Sequence, residues 1–162
     1  SEFAAEKICY FLQRFGAKNY FKLEYKAYFY GPYSGKVRFV LHYLNGSYIM
    51  GYSQMDKKPF EPLSVLMSTE SDVLAYLGKS EFKREKAIVN KTKEFLNGCY
   101  DSFTLELLST LDYIIQENET TDIEVIQNAL SNWSSRKSKQ FDNERFLKLG
   151  LEKLKNNSFE VE

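Results

Sequence analysis

FYGPYS, residues 29–34, marks the point where the chain changes from strand to helix. Upstream of it, residues 20–29 alternate with a period of two, which predicts a half-buried strand. Pro32 fixes its own φ and disfavours the α conformation at Gly31, so we expect the strand to end there. A helix with Ser34 as its N-cap is expected to follow.

The remaining pattern is mostly helical. Two short extended stretches are predicted at 47–52 and 59–66, with a turn or loop at QMDKKP, residues 54–59. Further helices are predicted over 3–15, 70–77, 80–97, 101–117, 122–133 and 142–155, with Ser71, Ser80, Asp101, Asp122 and Asp142 as N-caps. We therefore predict one domain, 1–162, of the α+β class and predominantly α-helical. In it, a small β element in the N-terminal half packs on a C-terminal helical bundle.

Composition places the chain among globular proteins. Its 162 residues are 43% hydrophobic and 27% charged, and no apolar run approaches the roughly 20 residues of a membrane helix. No secretory signal is visible in SEFAAEK, so a cytoplasmic location is expected. Cys9 and Cys99 are far apart and in no metal or redox spacing, which predicts buried free thiols.

The formal net charge of zero hides an asymmetry between the two parts of the chain. Residues 1–60 carry nine Lys or Arg against four Asp or Glu, whereas residues 61–162 carry 13 against 18. Between residues 101 and 124 there are seven carboxylates and no Lys or Arg. A nucleic-acid-binding protein more often has a basic stripe.

No catalytic or cofactor motif is present. His42 is the only histidine, so a histidine relay or a multi-histidine metal site is excluded. Phosphate-binding glycine loops, nucleophile elbows and HExxH are also missing from the sequence. We expect neither an enzyme nor a bound cofactor or metal.

Aromatic residues are concentrated in the N-terminal part: 16 of the 26 lie in the first 60 residues, interleaved with lysine and arginine. Such a mixture suits single-stranded nucleic acid, because bases stack on aromatic rings and phosphates attract cations. It suits a protein interface equally well, since tyrosine and arginine are enriched there. The residue pattern leaves both possibilities open.

Several separated stretches together resemble one family. EKICYFLQRFG, YGPYSGKVRFVLHYLNGSYIMGY, FTLELLSTLDYI and NWSSRKSKQF contain the motifs KxxYFLQ, YGPY and WSxRK in order. They resemble the C-terminal domain of DarG, the antitoxin of the DarT–DarG system, which is similar to SocA-like or Panacea antitoxin domains. The resemblance covers nearly the whole chain.

This resemblance implies a non-catalytic inhibitor. In that family an N-terminal macrodomain removes ADP-ribose from DNA, while the C-terminal domain binds DarT, which attaches ADP-ribose to single-stranded DNA. We expect the macrodomain to be absent from this chain and the partner to be a DarT-like toxin, with no direct nucleic-acid or membrane partner. Spaced carboxylates and aromatic faces would replace phosphates and bases in the toxin's groove.

The partner-binding candidates combine aromatic, basic and acidic side chains. Tyr33 is expected to cover the core beside the turn and Tyr30 to face a partner, while Trp133 is expected to anchor packing. Two alternatives remain open: a proteolytic adaptor that delivers a toxin to a protease, and a single-stranded nucleic-acid-binding module. The candidate residues are Tyr30, Tyr33, Arg38, His42, Tyr48, Asp112, Glu117, Glu119, Arg136 and Lys137.

Overall fold

The computed structural model describes residues 1–52, 58–157 and 159. Helices dominate it, and its described strands form two small antiparallel sheets, so the predicted helical α+β class is confirmed. The strands are β1 (Lys26–Tyr28), β2 (Gly31–Tyr33), β3 (Ile49–Met50) and β4 (Ser64–Val65). The helices are α1 (Glu2–Leu12), α2 (Lys18–Phe21), α3 (Lys36–Leu44), α4 (Met67–Leu77), α5 (Lys83–Leu96), α6 (Ser102–Asn118), α7 (Ile123–Trp133), α8 (Ser135–Gln140) and α9 (Glu144–Lys155).

Helix α6 is the centre of the fold. It packs against α1, α7, α9 and strand β2. Because neighbours surround it, its residues are buried almost all round rather than along one stripe. Gly150 of α9 allows a close approach, since a Cβ there would lie 2.7 Å from Cδ1 of Leu111. The predicted packing of a small β element on the helical bundle is therefore observed at α6.

The aromatic segment differs from its prediction in two respects. Residues 20–29 do not form one strand, because Lys18–Phe21 is helical and only Lys26–Tyr28 is extended. The chain reverses at a two-residue turn between Tyr28 and Gly31, which pair across the hairpin. Pro32 therefore lies inside a strand and does not end one. It is tolerated because a two-stranded sheet consists of edge strands.

Helix ends near the hairpin are set by glycines. Gly16, with φ 117°, interrupts the π-type turn Gln13–Ala17 that follows α1, so the helix predicted over 3–15 breaks at the glycine that follows it. Gly35, with φ 77°, is in the N-cap position of α3, and Ser34 makes no capping hydrogen bond, so the predicted cap is wrong. Val37 is buried on the inner face of α3.

The predicted C-terminal helices are present. The side chains of Asp101 and Asp122 accept hydrogen bonds from backbone N–H groups at the starts of α6 and α7, which confirms both N-caps. Asn143 caps α9 in place of Asp142, and Ser71 lies inside α4, so these two predictions are wrong. The polar stretch 134–140 contains helix α8, which periodicity did not indicate.

Other sequence-based expectations have mixed outcomes. Strands β3 and β4 lie within the two predicted extended stretches. Most of the predicted loop at 54–59 falls outside the described residues. Cys9 and Cys99 are free thiols, as expected, but both are partly exposed. No described helix combines the length and the apolar composition that crossing a membrane requires.

Candidate protein-binding surface

Two buried side chains of α1 hold the hairpin by its backbone. Lys7 Nζ donates a hydrogen bond to the carbonyl oxygen of Pro32 at 2.7 Å. The Glu6 carboxylate accepts hydrogen bonds from the backbone N–H groups of Ser34 and Gly35 at 3.3 and 3.1 Å. These contacts satisfy backbone groups that would otherwise lack partners beside the core.

The space around Lys7 explains the glycine in YGPY. Gly31 has φ 94°, and a Cβ on it would lie 2.8 Å from Oγ1 of Thr110 and 3.3 Å from Nζ of Lys7. Burial is the main cause that lowers the pKa of Lys7 to about 7, and the nearby charge of Lys137 acts in the same direction. Burial also raises the pKa of Glu6. Charged groups are therefore packed tightly under the hairpin.

Glu106 of α6 is the centre of a second buried network. Arg136 donates to its two oxygens at 2.6 and 3.2 Å, Gln140 donates at 3.2 Å, and Lys137 forms an ion pair with it. Burial alone would raise the pKa of Glu106, but the hydrogen bonds from Arg136 and Lys137 outweigh it and hold this pKa below its ordinary value. The network ties α8 to α6.

Asp112, one turn and a half further along α6, forms a third buried contact. It accepts hydrogen bonds from Tyr10 Oη and Arg14 Nε, both at 2.7 Å. Burial and the negative charge of Asp112 raise the pKa of Tyr10. The carboxylate thereby joins α6 to the end of α1.

Helices α7 and α8 hold the outer side of the hairpin. Trp133 Nε1 donates to the carbonyl oxygen of Tyr28 at 2.9 Å, and Arg136 Nη1 donates to that of Phe29 at 3.3 Å. The guanidinium of Arg136 also lies 4.9 and 5.0 Å from the ring centroids of Phe29 and Tyr30. Trp133 therefore has a packing role in the fold, as the sequence predicted.

Large aromatic side chains remain on the surface of this rigid scaffold. Tyr28 and Phe29, beside the hairpin turn, are 62% and 57% exposed. Phe39 and Tyr43, on the outward face of α3, are 75% and 86% exposed. Solvated helix faces are ordinarily polar, so this outward aromatic pair is a candidate for a binding surface.

The hairpin separates two concave regions. One, with a volume of about 250 Å³, lies between the hairpin and α1 and includes Glu6 and Lys7 in its lining. The other is an open groove of about 1040 Å³ between the hairpin and helices α6 and α7. Tyr28 and Phe29 line both. Residues of the hairpin turn are therefore central to the candidate surface.

The two tyrosines of YGPY occupy environments opposite to those predicted. Tyr30 is partly buried and packs edge-on against Phe3 and Phe60, with ring centroids 6.2 and 4.9 Å apart. Tyr33 is exposed and stacks on Tyr28 at 5.1 Å. The reason is the position of the turn, because placing it at residues 29–30 changes which side chains face the core.

Two candidate residues lie in the interior instead of on the surface. Asp112 is 2% exposed and Lys137 is 0% exposed, so the sequence-based expectation that they face a partner is wrong. Their charges are used within the fold, by Arg14 and Glu106 respectively. Arg136 is partly buried and bound to the same glutamate.

The remaining candidates lie at or near the surface. Glu117 and Glu119 are exposed at the end of α6, and Tyr48 is exposed before β3. Arg38 forms an ion pair with Glu2 at 3.5 Å. His42 stacks on Tyr52, with ring centroids 3.9 Å apart, which supports packing as its role. Their contact with a partner stays a prediction.

Phe39 and Tyr43 were missed as surface candidates, although the sequence contains a signal for them. Val37 is buried and Leu41 and Leu44 are partly buried on one side of α3, and positions 39 and 43 are on the opposite side of the same helix. A helical wheel therefore indicates two aromatic residues pointing away from the core. Among the described residues, no group of three His, Cys, Asp or Glu side chains could hold a metal ion.

A protein of Thermus aquaticus named DNA ADP-ribosyl glycohydrolase is similar to this chain. The two are 25% identical over 134 residues, which are 83% of this chain and 36% of that protein. This chain therefore corresponds to well under half of the length of the relative. The similarity supports the relation to DarG that the motifs indicate. No protein-family model matches the chain.

Proposed function

We propose that this chain is an antitoxin domain that binds a DarT-like DNA ADP-ribosyltransferase and neutralises it without catalysis. The observation that carries the proposal is the set of exposed aromatic side chains. They lie on a scaffold whose buried charged groups have their partners inside the fold. Phe39 and Tyr43 are the most exposed members of the outward face of α3. Aromatic residues on a surface supply large contact area at low entropic cost, as protein interfaces require.

The relative supports the biological context of this proposal. The name of that protein describes removal of ADP-ribose from DNA, and this chain aligns with 36% of its length. We propose that the aligned part recognises the toxin, and that the named reaction belongs to the rest of that protein. Recognition of the toxin and removal of the toxin's modification from DNA would then be combined in one polypeptide.

Occlusion of the toxin's single-stranded DNA groove is the proposed mode of inhibition. Such a groove is basic, and the α6–α7 junction of this chain carries exposed carboxylates on Glu117, Glu119, Asp122 and Glu124. Asp112 does not belong to this set, because it is buried and paired. A stable inhibitory complex should bury on the order of 1,600 Å².

The deciding experiment is a competition assay with purified toxin, labelled single-stranded DNA and this domain. We expect the domain to bind the toxin tightly, to displace the DNA and to prevent its modification. Neutralising Glu117 and Glu119 together should weaken binding and reduce its dependence on salt, whereas Glu81→Gln, at an exposed site on another face, should not. A toxin that binds DNA and the domain simultaneously would exclude groove occlusion.

The aromatic face of α3 has its own test. Phe39→Ser and Tyr43→Ser should leave the free energy of unfolding within about 0.5 kcal/mol of the wild type, because both rings are exposed. They should nevertheless weaken toxin binding by roughly tenfold or more. Leu149→Ser, at an exposed apolar site on α9, is the matched control. Equal affinities for all three variants would remove α3 from the interface.

Direct binding of single-stranded nucleic acid is the second candidate function. It is favoured by exposed lysines on the elements that carry the aromatic residues, Lys26 on β1 and Lys36 on α3. The same assay without toxin separates the two functions. Retention of labelled DNA by the domain alone, weakening steeply with salt, would favour this second candidate.

A further inference from the structure

The open groove between the hairpin and helices α6 and α7 has a chemical character of its own. Its volume is about 1040 Å³, and four aromatic side chains contribute to its walls: Tyr28, Phe29, Tyr113 and Trp133. The carboxylate of Glu117 is part of the same lining. The negative charge of Glu117 contributes to raising the pKa of Tyr113, after burial, as expected for close neighbours.

The charges around this groove favour a positively charged occupant. Neither Lys nor Arg is among the described residues that line it. Arg136 and Lys137, which follow the lining residues Trp133 and Ser134 along the chain, are bound to Glu106. Beyond Glu117, exposed carboxylates follow at Glu119, Asp122 and Glu124, and the sequence from 101 to 124 contains no basic residue. The repulsion of phosphates by these carboxylates makes nucleic acid a poor occupant.

Aromatic faces and a carboxylate together form the usual surroundings of a bound guanidinium. A ring attracts a cation through its negative face, and a carboxylate accepts the guanidinium's paired N–H groups. Arg136 already makes this contact with Phe29, at 4.9 Å from the ring centroid. Tyr28, which stacks on Tyr33, and Tyr113, which packs edge-on against Trp133, line the groove together with Glu117. Planar stacking favours arginine over lysine.

From this geometry we propose that the groove binds an arginine side chain from an extended segment of the protein partner. The arginine stacks on the aromatic wall and pairs with Glu117, while the amide of Asn132 and the amide oxygen of Asn118 bind the partner's polar groups. The NH₂ group of Asn118 already donates to the carbonyl oxygen of Ile114. The proposal rests on the proposed antitoxin function for the identity of the partner. The groove's preference for arginine is a property of this chain alone.

The test uses the whole domain and a synthetic probe, a short acetylated glycine–arginine peptide, with a citrulline peptide of equal length as the neutral isostere. Trp133 is the only tryptophan in the sequence, so its indole resonance and fluorescence report on the groove. We expect saturable shifts at Trp133 and at the side-chain amide of Asn132. Citrulline should bind about tenfold more weakly, because it lacks the charge.

Two variants connect the binding to the groove. Glu117→Gln removes the charge at an exposed position and Tyr28→Leu removes the ring while keeping apolar volume, and each should weaken arginine binding about tenfold. Glu81→Gln is the control outside the groove. Equal binding of arginine and citrulline, or shifts confined to other helices, would overturn the proposal.

The outcomes separate this proposal from the antitoxin function. Arginine binding in the groove without toxin binding would refute the antitoxin proposal and leave the groove's preference standing. Toxin binding that is unchanged by Glu117→Gln and Tyr28→Leu, together with no response to the arginine peptide, would refute the groove proposal alone.

Discussion

Replacing Glu106 with glutamine should destabilise the fold strongly, although the two side chains have the same shape. The carboxylate is buried and accepts hydrogen bonds from Arg136, Lys137 and Gln140. A glutamine keeps one acceptor oxygen but places an NH₂ group against N–H donors. It also removes the only negative charge that pairs with Lys137 among the described ion pairs.

The magnitude follows from the burial of Lys137. This side chain is fully buried, and its other described contacts are with the rings of Trp133 and Phe141, at 5.7 and 5.3 Å from their centroids. Aromatic rings do not replace a carboxylate, so a charge is left uncompensated in the interior. Breaking one partner of a buried ion pair costs about 3–5 kcal/mol. For a domain of this size each kcal/mol lowers Tm by about 2–4 °C.

Urea denaturation followed by Trp133 fluorescence, together with thermal melting, measures the effect. Glu117→Gln on the same helix is the matched control, because its side chain is exposed, and it should change the free energy of unfolding by less than about 0.5 kcal/mol. Adding Lys137→Met to Glu106→Gln should recover part of the loss by removing the unpaired charge. A loss for Glu106→Gln no larger than that of the control would refute the buried network.

Two further predictions concern the residues under the hairpin. Gly31→Ala should destabilise the fold by about 2 kcal/mol or more, because position 31 has a positive φ and a Cβ there would clash with Thr110. Calorimetry should find a smaller loss of stability for the control Gly98→Ala, where φ is also positive but the space around the Cβ is open. The low pKa of Lys7 means that the unfolded chain binds more protons than the folded one above about pH 7, so stability should rise with pH by at most about 1.4 kcal/mol per unit. Above about pH 9 the rise should level off, because Cys9, with its pKa raised to about 12, contributes an equal slope of opposite sign. Denaturation between these limits should find a smaller slope in Lys7→Met, and an unchanged slope would contradict the assignment.

Local signals predicted the helical part of the fold well. Asp101 and Asp122 were recognisable as N-caps because the contact is local: the side-chain oxygen accepts hydrogen bonds from backbone N–H groups only two or three residues further along the chain. The hairpin was harder, since the alternation over 20–29 continues through residues that are helical in the structure. Tertiary packing decides between strand and helix in such short segments.

The buried charges could not be found from sequence. Lys7, Glu106 and Lys137 are of residue types that almost always lie at the surface, and their partners are distant along the chain. Only the packing of α1, α6 and α8 brings them together. Asp112, which was predicted to face a partner, is buried by the same packing. Sequence patterns indicate which face of a helix is apolar, but they do not reveal a polar residue placed on that face to meet a charge.

The short motifs behind the family resemblance contribute many of these internal contacts. Lys7 of KxxYFLQ binds the carbonyl of Pro32 in YGPY, while Trp133 and Arg136 of WSxRK bind backbone carbonyls in the hairpin. A resemblance carried by such residues identifies a scaffold, because substitution of these donors leaves backbone carbonyls of the hairpin, or the carboxylate of Glu106, without a partner. Under the proposed antitoxin function, the choice of toxin should therefore depend mainly on exposed residues that these motifs do not contain. Exchanging Phe39 between related antitoxin domains, with the motifs unchanged, should alter partner preference more than stability.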